Sequence, residues 1–455
     1  MKDATEEINS IISIIDDEIN QFLQNDTSVH PYDIAEQLLE LRELSDEDYE
    51  TLIKKMPHGL LAEVLSELPD HVQEETANIL SVSKLADIAS KMDTDDAATL
   101  IYNISEENEE ISQNILNKFG DEDKELIEQL ISYGDDEAGS YMQTELFSAK
   151  IDERIGTALD RLKNLKESDE VDNIWHVHLV NERNKYLGSI GLEELIIFDR
   201  DLNFEDIPFD KHKNFSVNHK ADIADVVEIV TNYNLNSIAV VDNKNRLIGR
   251  ITSDDIYDII QETATEQIFN LAGVNDEAEQ EEDMYEIGKT RAIWLGLNLL
   301  TAIAASLVIG AFDTTIQSLV ALAILMPIVA SMGGNAGTQT LTVTVRQMAL
   351  GNIDEEDAKK TIYKEVVISL VNGSIFAVLI GIIAYFWFHM PMLGVVIGLS
   401  MVINILSAGF FGSVIPLALE KAGVDPAIGS TVLLTTVTDV VGFFSFLGLA
   451  SVILL

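Results

Sequence analysis

The residues best placed to do chemistry lie in stretches that are apolar enough to cross a membrane. Asp439, in "LLTTVTDVVGFF", is the one ionisable residue well inside such a stretch, and no Lys, Arg or His within these stretches could pair with it. A carboxylate at membrane depth is costly unless it is paired or faces water, so it marks an ion or proton pathway by default. The alternative is an uncharged acid that is hydrogen-bonded to Thr436, Thr438 or a neighbouring helix.

A second group of polar residues lies in "MPIVASMGGNAGTQT", residues 326–340. The glycines from Gly333 to Gly337 predict a break in the helix, which is tolerated at membrane depth only inside protein or beside water. The alternative is close helix packing, for which Gly333 and Gly337 have the right spacing. Packing alone does not explain Asn335 and Gln339. Since Mg²⁺ keeps most of its waters and takes few carboxylates, one acid with nearby amide oxygens fits a hydrated divalent cation better than an anion.

Five stretches between the charged residues are long enough to span a membrane, which takes about 20 residues. Under this threading all seven Lys and Arg residues of 288–455 fall on one side, which the positive-inside rule makes the cytoplasmic side. We therefore expect a multi-pass protein of the cell membrane, with cytoplasmic N-terminal domains and its C-terminus on the opposite side. The predicted spans are roughly 292–312, 316–345 (interrupted by the glycine break), 366–388, 392–419 and 427–455.

Charge divides the chain sharply. Residues 1–287 contain 22 Lys or Arg and 68 Asp or Glu, a net charge of −46, whereas residues 288–455 contain 7 and 9, a net charge of −2. So acidic a surface disfavours nucleic acid and anionic lipid and attracts cations, although solubility alone would also explain it. The chain has no cysteine, which excludes disulfides and thiolate metal sites. Its first residues, MKDATEEINS, do not resemble a cleaved signal peptide.

A repeat of 12 residues runs through residues 44–115. Each unit starts with an apolar residue that is followed by Ser, Pro or Asp, residues that begin helices as caps or first-turn prolines. The pattern predicts short helices that stack as an α-solenoid. Surface acids such as Asp93, Asp95 and Asp96 are its functional candidates. The apolar positions are Leu44, Met56, Leu68, Leu80, Met92 and Ile104.

A second repeat pairs "HLVNERNKYLGSIGLEEL" (178–195) with "AVVDNKNRLIGRITSDDI" (239–256), at an offset of 61. Each copy predicts a β-α-β-β-α unit, and together they resemble a tandem pair of CBS domains. That resemblance allows an adenine nucleotide such as ATP at Gly249, Thr252 and Asp255 of the second copy. The first copy has Gly188, Gly191 and Glu194 at these positions and lacks the hydroxyl, so we expect one nucleotide at most. A charged, helix-prone segment then leads to the first span.

With these pieces in order, the chain resembles the MgtE family of magnesium channels over nearly its whole length. The motif residues are Pro327, Gly334, Asn335 and Gln339, and "DPAIGSTVLLTTVTDVVG", which begins at Asp425, matches the final span. The resemblance implies five parts: an acidic helical N-domain (1–137), CBS 1 (138–200), CBS 2 (201–262), a connecting plug helix (263–287) and a five-span pore domain (288–455).

The same resemblance implies a homodimer that imports Mg²⁺ through a pore between its two membrane halves. Asp439 would hold hydrated Mg²⁺ in the pore, with Asn335 close by. Cytoplasmic Mg²⁺ would also be sensed, at acids that include Asp95, Asp255, Asp258 and Glu266, and would close the pore when plentiful. Thr263 and Gln267 stand where other plug helices carry acids, and the acid run 276–283 is a candidate substitute.

Two other classes of protein remain open. A secondary transporter of Mn²⁺, Co²⁺ or Ca²⁺ coupled to Na⁺ or H⁺ would need more ionisable residues in the membrane than Asp439. A non-conducting sensor anchored by its spans would not need the predicted break in the second span. Because no nucleophile–base pair, phosphate loop or His-rich metal centre is recognisable, we do not expect an enzyme.

Overall fold

The computed structural model divides into two compact units, Met1–Gln261 and Glu262–Leu455, which are described separately. The soluble helical N-domain, both sheets and the start of the helix Ser253–Ala272 (α12) belong to unit 1, and the membrane helices belong to unit 2. The described residues are 2–24, 29–134, 136–168, 171, 173–207, 215–274, 284–349, 353 and 357–455, so the acid run 276–283 lies outside them.

The N-domain confirms the α-solenoid. Five consecutive helices begin at Asp46, His58, Asp70, Val82 and Thr94, twelve residues apart. The cap residues explain these starts, because hydroxyls accept backbone N–H groups at two of them and prolines precede two others. Helices two apart in the chain pack together, as a solenoid requires. The helices are α1 (Lys2–Phe22), α2 (Pro31–Leu44), α3 (Asp46–Lys55), α4 (His58–Ser66), α5 (Asp70–Ile79), α6 (Val82–Ala89), α7 (Thr94–Leu116) and α8 (Asp121–Ile131).

The last unit of the repeat departs from the prediction. The pattern predicts a new helix after Ser105, but α7 continues to Leu116 and is broken only at Asn108, where φ is −151° and ψ is 89°. The Asn108 Oδ1 accepts hydrogen bonds from the backbone N–H groups of Glu110 and Ile111, both at 3.2 Å. This is the action of a helix N-cap, whereas the Ser105 hydroxyl donates back to the Tyr102 carbonyl at 2.6 Å. The break therefore comes three residues later than predicted.

The two copies of the second repeat each form a three-stranded sheet. In both sheets the first strand is parallel to the second, which is antiparallel to the third. A parallel pair needs a crossover connection, and a helix supplies it in each copy. The β-α-β-β-α prediction is therefore confirmed. The elements are β1 (Ser148–Lys150), α9 (Ile155–Glu167), β2 (His176–Val180), β3 (Tyr186–Gly191) and α10 (Leu192–Leu195), then β4 (Ser216–Asn218), α11 (Ile223–Tyr233), β5 (Ser237–Val241), β6 (Leu247–Thr252) and α12 (Ser253–Ala272).

Reciprocal hydrogen bonds join the two copies. The Tyr186 N–H donates to the Asn245 carbonyl at 2.9 Å, and the Leu247 N–H donates to the Asn184 carbonyl at 3.1 Å. The side-chain amides repeat the exchange, from Asn184 to the Leu247 carbonyl and from Asn245 to the Tyr186 carbonyl, both at 3.0 Å. Asn184 and Asn245 are 61 positions apart, which is the offset between the two sequence copies. In the structure these two residues therefore form a pseudo-twofold pair.

One apolar core connects the solenoid with the second sheet. It passes through Ala138 and Met142 to Val217, Ile238 and Ile251, all of which are buried. The first sheet has its own core of residues that include Phe147, Val177 and Phe204. The N-domain and the second CBS-like copy therefore share their packing, which places the N-terminus of α7 beside that copy.

In unit 2, five of the helices in the described ranges are long and apolar enough to cross a membrane, as predicted. A short helix, Asp313–Ser318, separates the first two. The final turns of α12, beyond Glu262, also belong to this unit. The first to fifth spans are Ile287–Ala311, Ala321–Ala349, Ala358–Phe388, Pro391–Lys421 and Ser430–Ile453.

The predicted break in the second span is wrong. Residues Ala321–Ala349 form one continuous α-helix through the whole glycine motif, and the chain is interrupted earlier, at Leu319, where the backbone is extended. The glycines serve close packing instead. A β-carbon at Gly337 would lie 3.0 Å from the Leu434 side chain, and one at Gly333 would overlap the Asn404 amide. The alternative interpretation, helix packing through small residues, is therefore what the structure shows.

Candidate ion pathway and acidic cluster

The second span has one polar face that the described residues leave exposed. Its buried face contains the two packing glycines, Gly333 and Gly337, and the opposite face is exposed. On that face, within the described ranges, the Asn335 side chain makes only a long hydrogen bond, from Nδ2 to the Ser331 Oγ at 3.4 Å. Bare hydroxyls and amides are costly in hydrocarbon, so this face requires water or a second chain. Its exposed polar residues are Ser331, Asn335, Thr338, Gln339 and Thr342.

Asp439 is half-buried on the fifth span. The two hydroxyls that could have satisfied an uncharged acid are engaged elsewhere, since Thr436 donates to the Val432 carbonyl at 2.7 Å and Thr438 to the Thr435 carbonyl at 3.1 Å. Within the described ranges, the Asp439 carboxylate makes no hydrogen bond or ion pair. Neither hydroxyl therefore donates to Asp439.

Two contacts establish how the second and fifth spans pack. Gly337 lies against Leu434, and Gly333 and Gly442 both lie against the amide of Asn404 from the fourth span. Position numbers rise along the second span as they fall along the fifth, so the two helices are antiparallel.

This register puts Asn335 and Asp439 at the same depth in the membrane half. Asn335 lies midway between the two packing glycines, and Asp439 lies between their two contact points on the fifth span. The structure does not bring the two side chains into contact within one chain, because Asn335 is exposed on the outer face of its helix. Asn335 and Asp439, the predicted pair, therefore lie at the same depth but do not touch each other.

The end of α12 contacts the second and fifth spans within unit 2. The Thr431 hydroxyl donates to the Leu271 carbonyl at 2.8 Å, which satisfies one of the free carbonyls at the helix C-terminus. The Leu271 side chain packs against a small apolar cluster that includes Leu341 and Leu434. Sequence reasoning did not select Thr431, although its position within the final-span motif was available.

The same helix end brings one predicted sensor acid next to a second carboxylate. The Asn270 side-chain amide donates to the Glu266 Oε1 and to the Asp425 Oδ2, both at 3.2 Å. Asp425 also accepts the Ala427 N–H at 2.8 Å. Glu266 and Asp425 are therefore held in one polar group through a shared amide.

In unit 1 the acids predicted as sensors lie together. Asp95 is 8% exposed, so the prediction that it is a surface acid is wrong. Burial raises its pKa well above the usual range, and the charges of Asp96 and Asp255 raise it further. The residues of this acidic cluster come from the start of α7, the start of α12 and two neighbouring segments: Asp93, Asp95, Asp96, Asp254, Asp255, Asp258, Glu67 and Glu145.

Asp255 lies at the centre of this cluster and also caps α12. Burial raises its pKa to about 7, against the effect of its hydrogen bonds, and the charges of Asp254 and Asp96 act in the same direction as burial. Its Oδ2 accepts the Thr252 N–H at 3.1 Å and the Thr252 hydroxyl at 2.7 Å. Desolvation followed by the Glu145 charge likewise raises the pKa of Asp93 to about 6. Mutual repulsion therefore strains the cluster at neutral pH.

The nucleotide-associated residues are also engaged within the protein. Thr252 is 2% exposed and donates to Asp255. A β-carbon at Gly249 would lie 2.8 Å from the Gln143 carbonyl oxygen, so the glycine is required for that strand-like segment to pair with β6. These contacts explain the three signature residues structurally, and a nucleotide at this position stays a prediction.

Arg250 lies beside the acidic cluster, and sequence reasoning missed it together with Glu67, Glu145 and Asp254. It is 3% exposed on β6, and its backbone exchanges hydrogen bonds with Gln143 at 2.8 and 2.9 Å. Burial lowers the pKa of its guanidinium, and the charges of Asp93 and Glu145 oppose that shift. Glu145 in turn accepts the Thr94 hydroxyl at 3.0 Å. The sequence feature that could have identified Arg250 is its position as an arginine in an otherwise apolar strand.

The carboxylates of the cluster do not converge as a preformed metal cage. Across the described ranges, no three His, Asp or Glu side chains are close enough to hold a metal ion. Mg²⁺ retains several waters and needs only one or two protein carboxylates. Acids on two facing elements therefore suit hydrated Mg²⁺ better than an ion that requires a full set of protein ligands.

Comparison with known proteins places these features in one family. Three family models match: divalent cation transporter (MgtE) at residues 326–449, MgtE intracellular N domain at 29–136 and CBS domain at 205–262. The soluble half is similar to the crystal structure of the soluble part of a magnesium transporter, with a TM-score of 0.50 and 25% identity over 57% of this chain and 99% of that one.

Curated relatives match over most of their length. The chain is 32% identical to the magnesium transporter MgtE of Enterococcus faecalis over 325 residues, 71% of each protein. It is 28% identical to that of Thermus thermophilus over 429 residues, 94% of this chain and 93% of the relative. With the N-domain, the CBS-like pair and the five apolar helices in the order of these relatives, the chain belongs to the MgtE family.

Proposed function

We propose that this chain imports Mg²⁺ across the cell membrane as a homodimer, and that its acidic soluble half closes the path when cytoplasmic Mg²⁺ is plentiful. Transport of Mg²⁺ is the function named for the relatives of E. faecalis and T. thermophilus. The membrane half supplies an acid and a polar helix face for the ion, and the residues described contain no arrangement that favours catalysis over transport.

The unpaired carboxylate of Asp439 carries this proposal. It lies at the same depth as Asn335, and the polar face of the second span is uncovered in a single chain. A second copy facing the first would cover that face and enclose a polar path between the two membrane halves. Carboxylates and amide oxygens at one level suit a Mg²⁺ ion that retains its inner waters.

The proposed gate works through repulsion between the carboxylates of the acidic cluster. The acidic cluster in unit 1 carries raised pKa values because its carboxylates are desolvated and close to one another. Mg²⁺ between facing acids relieves this repulsion and favours the compact form, and binding shifts the equilibrium only by its difference in affinity for the two forms. The helix α12 carries Asp255 in its first turn and ends at the Thr431–Leu271 contact, so it supplies the connection from cluster to path.

Orientation and nucleotide binding belong to the same proposal. The basic residues that flank the spans support a cytoplasmic N-domain, which would be exposed to the Mg²⁺ that it senses, and a C-terminus on the opposite side. ATP would bind beside Gly249, Thr252 and Asp255, provided that Asp255 exchanges its capping bond for one to the nucleotide.

Flux measurement in proteoliposomes tests the path. We expect Asp439→Ala to abolish or severely reduce Mg²⁺ uptake while the protein still inserts and dimerises, and Asn335→Ala to be milder because an amide has no net charge. Asp313→Ala is the matched control, because this acid lies in the short helix outside the spans and accepts from Gln317. Wild-type uptake and selectivity in Asp439→Ala would refute the assignment. Dependence of uptake on a Na⁺ or H⁺ gradient would identify a coupled transporter instead.

Limited proteolysis of the full-length protein tests the gate. With −46 charges before residue 288, the soluble half of each subunit repels itself in the absence of divalent ions. Monovalent salt screens separated charges over about 8 Å near physiological ionic strength but cannot bridge two carboxylates. Millimolar MgCl₂ should therefore protect the soluble half from protease. Equal protection by KCl of the same ionic strength would mean simple screening and would contradict the sensor.

A further inference from the structure

A buried amide connects three of the membrane helices. Asn404, on the fourth span, is fully buried. Its Nδ2 donates to the Val329 carbonyl of the second span at 2.8 Å. On the other side, a β-carbon at Gly442 of the fifth span would lie 2.7 Å from the same Nδ2, and one at Gly333 would overlap the amide. The amide therefore occupies a joint between two glycines.

A contribution to stability does not explain why the Asn404 amide is buried at this position. The Asn404 Oδ1 is buried and has no hydrogen-bond partner within the described part of the chain. An unsatisfied buried acceptor is destabilising, and leucine has the same branching without a polar atom to satisfy, although its tetrahedral Cγ is thicker than a planar amide. We take the buried Asn404 side chain, which retains this energetic cost in a well-packed joint, to have a role other than stability.

We propose that Asn404 is a positioning residue for the ion path: it sets the separation and the relative height of the second and fifth spans at the depth of Asn335 and Asp439. The two glycines limit the gap to the thickness of one amide. The hydrogen bond to Val329 then selects one height of the second span, which an apolar side chain could not do because dispersion contacts are not directional. This inference rests on the proposed function, since it assigns Asn404 to that path.

The position of this joint relative to the proposed ligands supports the role. Gly442 lies three residues after Asp439 and Gly333 two residues before Asn335, so the amide is within one helical turn of both. Functional groups must be held within about 0.5 Å of their working geometry by residues that are themselves locked by packing and hydrogen bonds. Asn404 has both kinds of restraint.

Asn404→Leu separates this role from a structural one. In the full-length protein we expect little change in thermal stability, because removal of the unsatisfied acceptor offsets the strain of a thicker side chain, together with a loss of Mg²⁺ uptake of about tenfold and weaker discrimination against Ca²⁺. The size of the loss follows from the steep dependence of function on displacements near 1 Å. Ser400→Ala is the control, because Ser400 is buried one turn earlier but donates only within its own helix, to the Ile397 carbonyl at 2.9 Å.

A size-exchange pair keeps the proposal testable if Asn404→Leu does not insert. Gly333→Ala should impair uptake because its methyl group overlaps the Asn404 amide. Asn404→Ala in the same chain makes room for that methyl group but removes the hydrogen bond to Val329, so the double variant should insert while its uptake stays low. Wild-type uptake in the double variant, or wild-type uptake and selectivity in Asn404→Leu, would overturn the role. If uptake remains in Asp439→Ala, the ion path itself fails; if only the Asn404 variants behave as wild type, this inference fails alone.

Discussion

Replacing Asp255 by asparagine should stabilise the soluble half at pH 8 in the absence of Mg²⁺. Burial raises the pKa of Asp255 from 3.8 to about 7, and this difference corresponds to about 4 kcal/mol at about 1.36 kcal/mol per pH unit. The introduced amide would keep an acceptor for Thr252 but lose a charge-assisted bond, at a cost of about 1 kcal/mol. The net gain in unfolding free energy is therefore about 3 kcal/mol.

The direction of the pH dependence follows from the raised pKa. The folded chain binds the Asp255 proton more tightly than the unfolded chain, so this contribution to stability is fully present below pH 3.8 and is lost as the pH rises through about 7. Wild-type protein should therefore resist unfolding better at pH 5 than at pH 8. The Asp255→Asn variant should show a weaker dependence of the same sign, because Asp93 and Asp95 also have raised pKa values.

Pulse proteolysis of the full-length protein in detergent, across a urea series with a chelator present, measures this. For a unit of this size the expected gain raises the urea midpoint by about 1 M at pH 8. Asp225→Asn is the matched control, since this exposed acid occupies the first turn of α11 in the same kind of unit. A midpoint for Asp255→Asn that is equal to or below that of the wild type at pH 8 would refute the reasoning.

Three further predictions follow from contacts in the two units. Arg250→Met should lower the Mg²⁺-free stability of the soluble half because it removes a cation from the acidic cluster, and adding Glu145→Gln should restore part of it; additive losses in the same proteolysis assay would contradict the pairing. Thr431→Val removes the donor to the Leu271 carbonyl. Uptake should then become less sensitive to Mg²⁺ on the cytoplasmic side, while protease protection by Mg²⁺ persists. If cytoplasmic Mg²⁺ inhibits uptake as in the wild type, this contact is not part of the gate. Thr252→Ala should weaken ATP binding in calorimetry and lower the stability by about 1 kcal/mol through the lost hydroxyl hydrogen bond to Asp255, whereas unaltered binding would show that the nucleotide site lies elsewhere.

Much of the fold could be predicted because its signals are local. Cap residues every twelve positions marked the solenoid helices, and the offset of 61 marked the paired sheets, since caps and strand–turn patterns act within a few residues. The same reasoning failed at Gly333–Gly337, where flexible residues were interpreted as a helix break. Glycine permits many backbone conformations, and here the packing of Asn404 and Leu434 against the bare backbone selects the helical one.

The sequence by itself determined the class of the protein: the charge division, five apolar spans and a lone membrane carboxylate at Asp439 are properties of composition and order, which need no knowledge of contacts. Only the tertiary structure decided which residues share a site. It buried Asp95 beside Asp255, placed Arg250 among the acids and brought Asn404 between two glycines. Burial and electrostatic coupling depend on which distant segments pack together, so no reading of contiguous residues contains them.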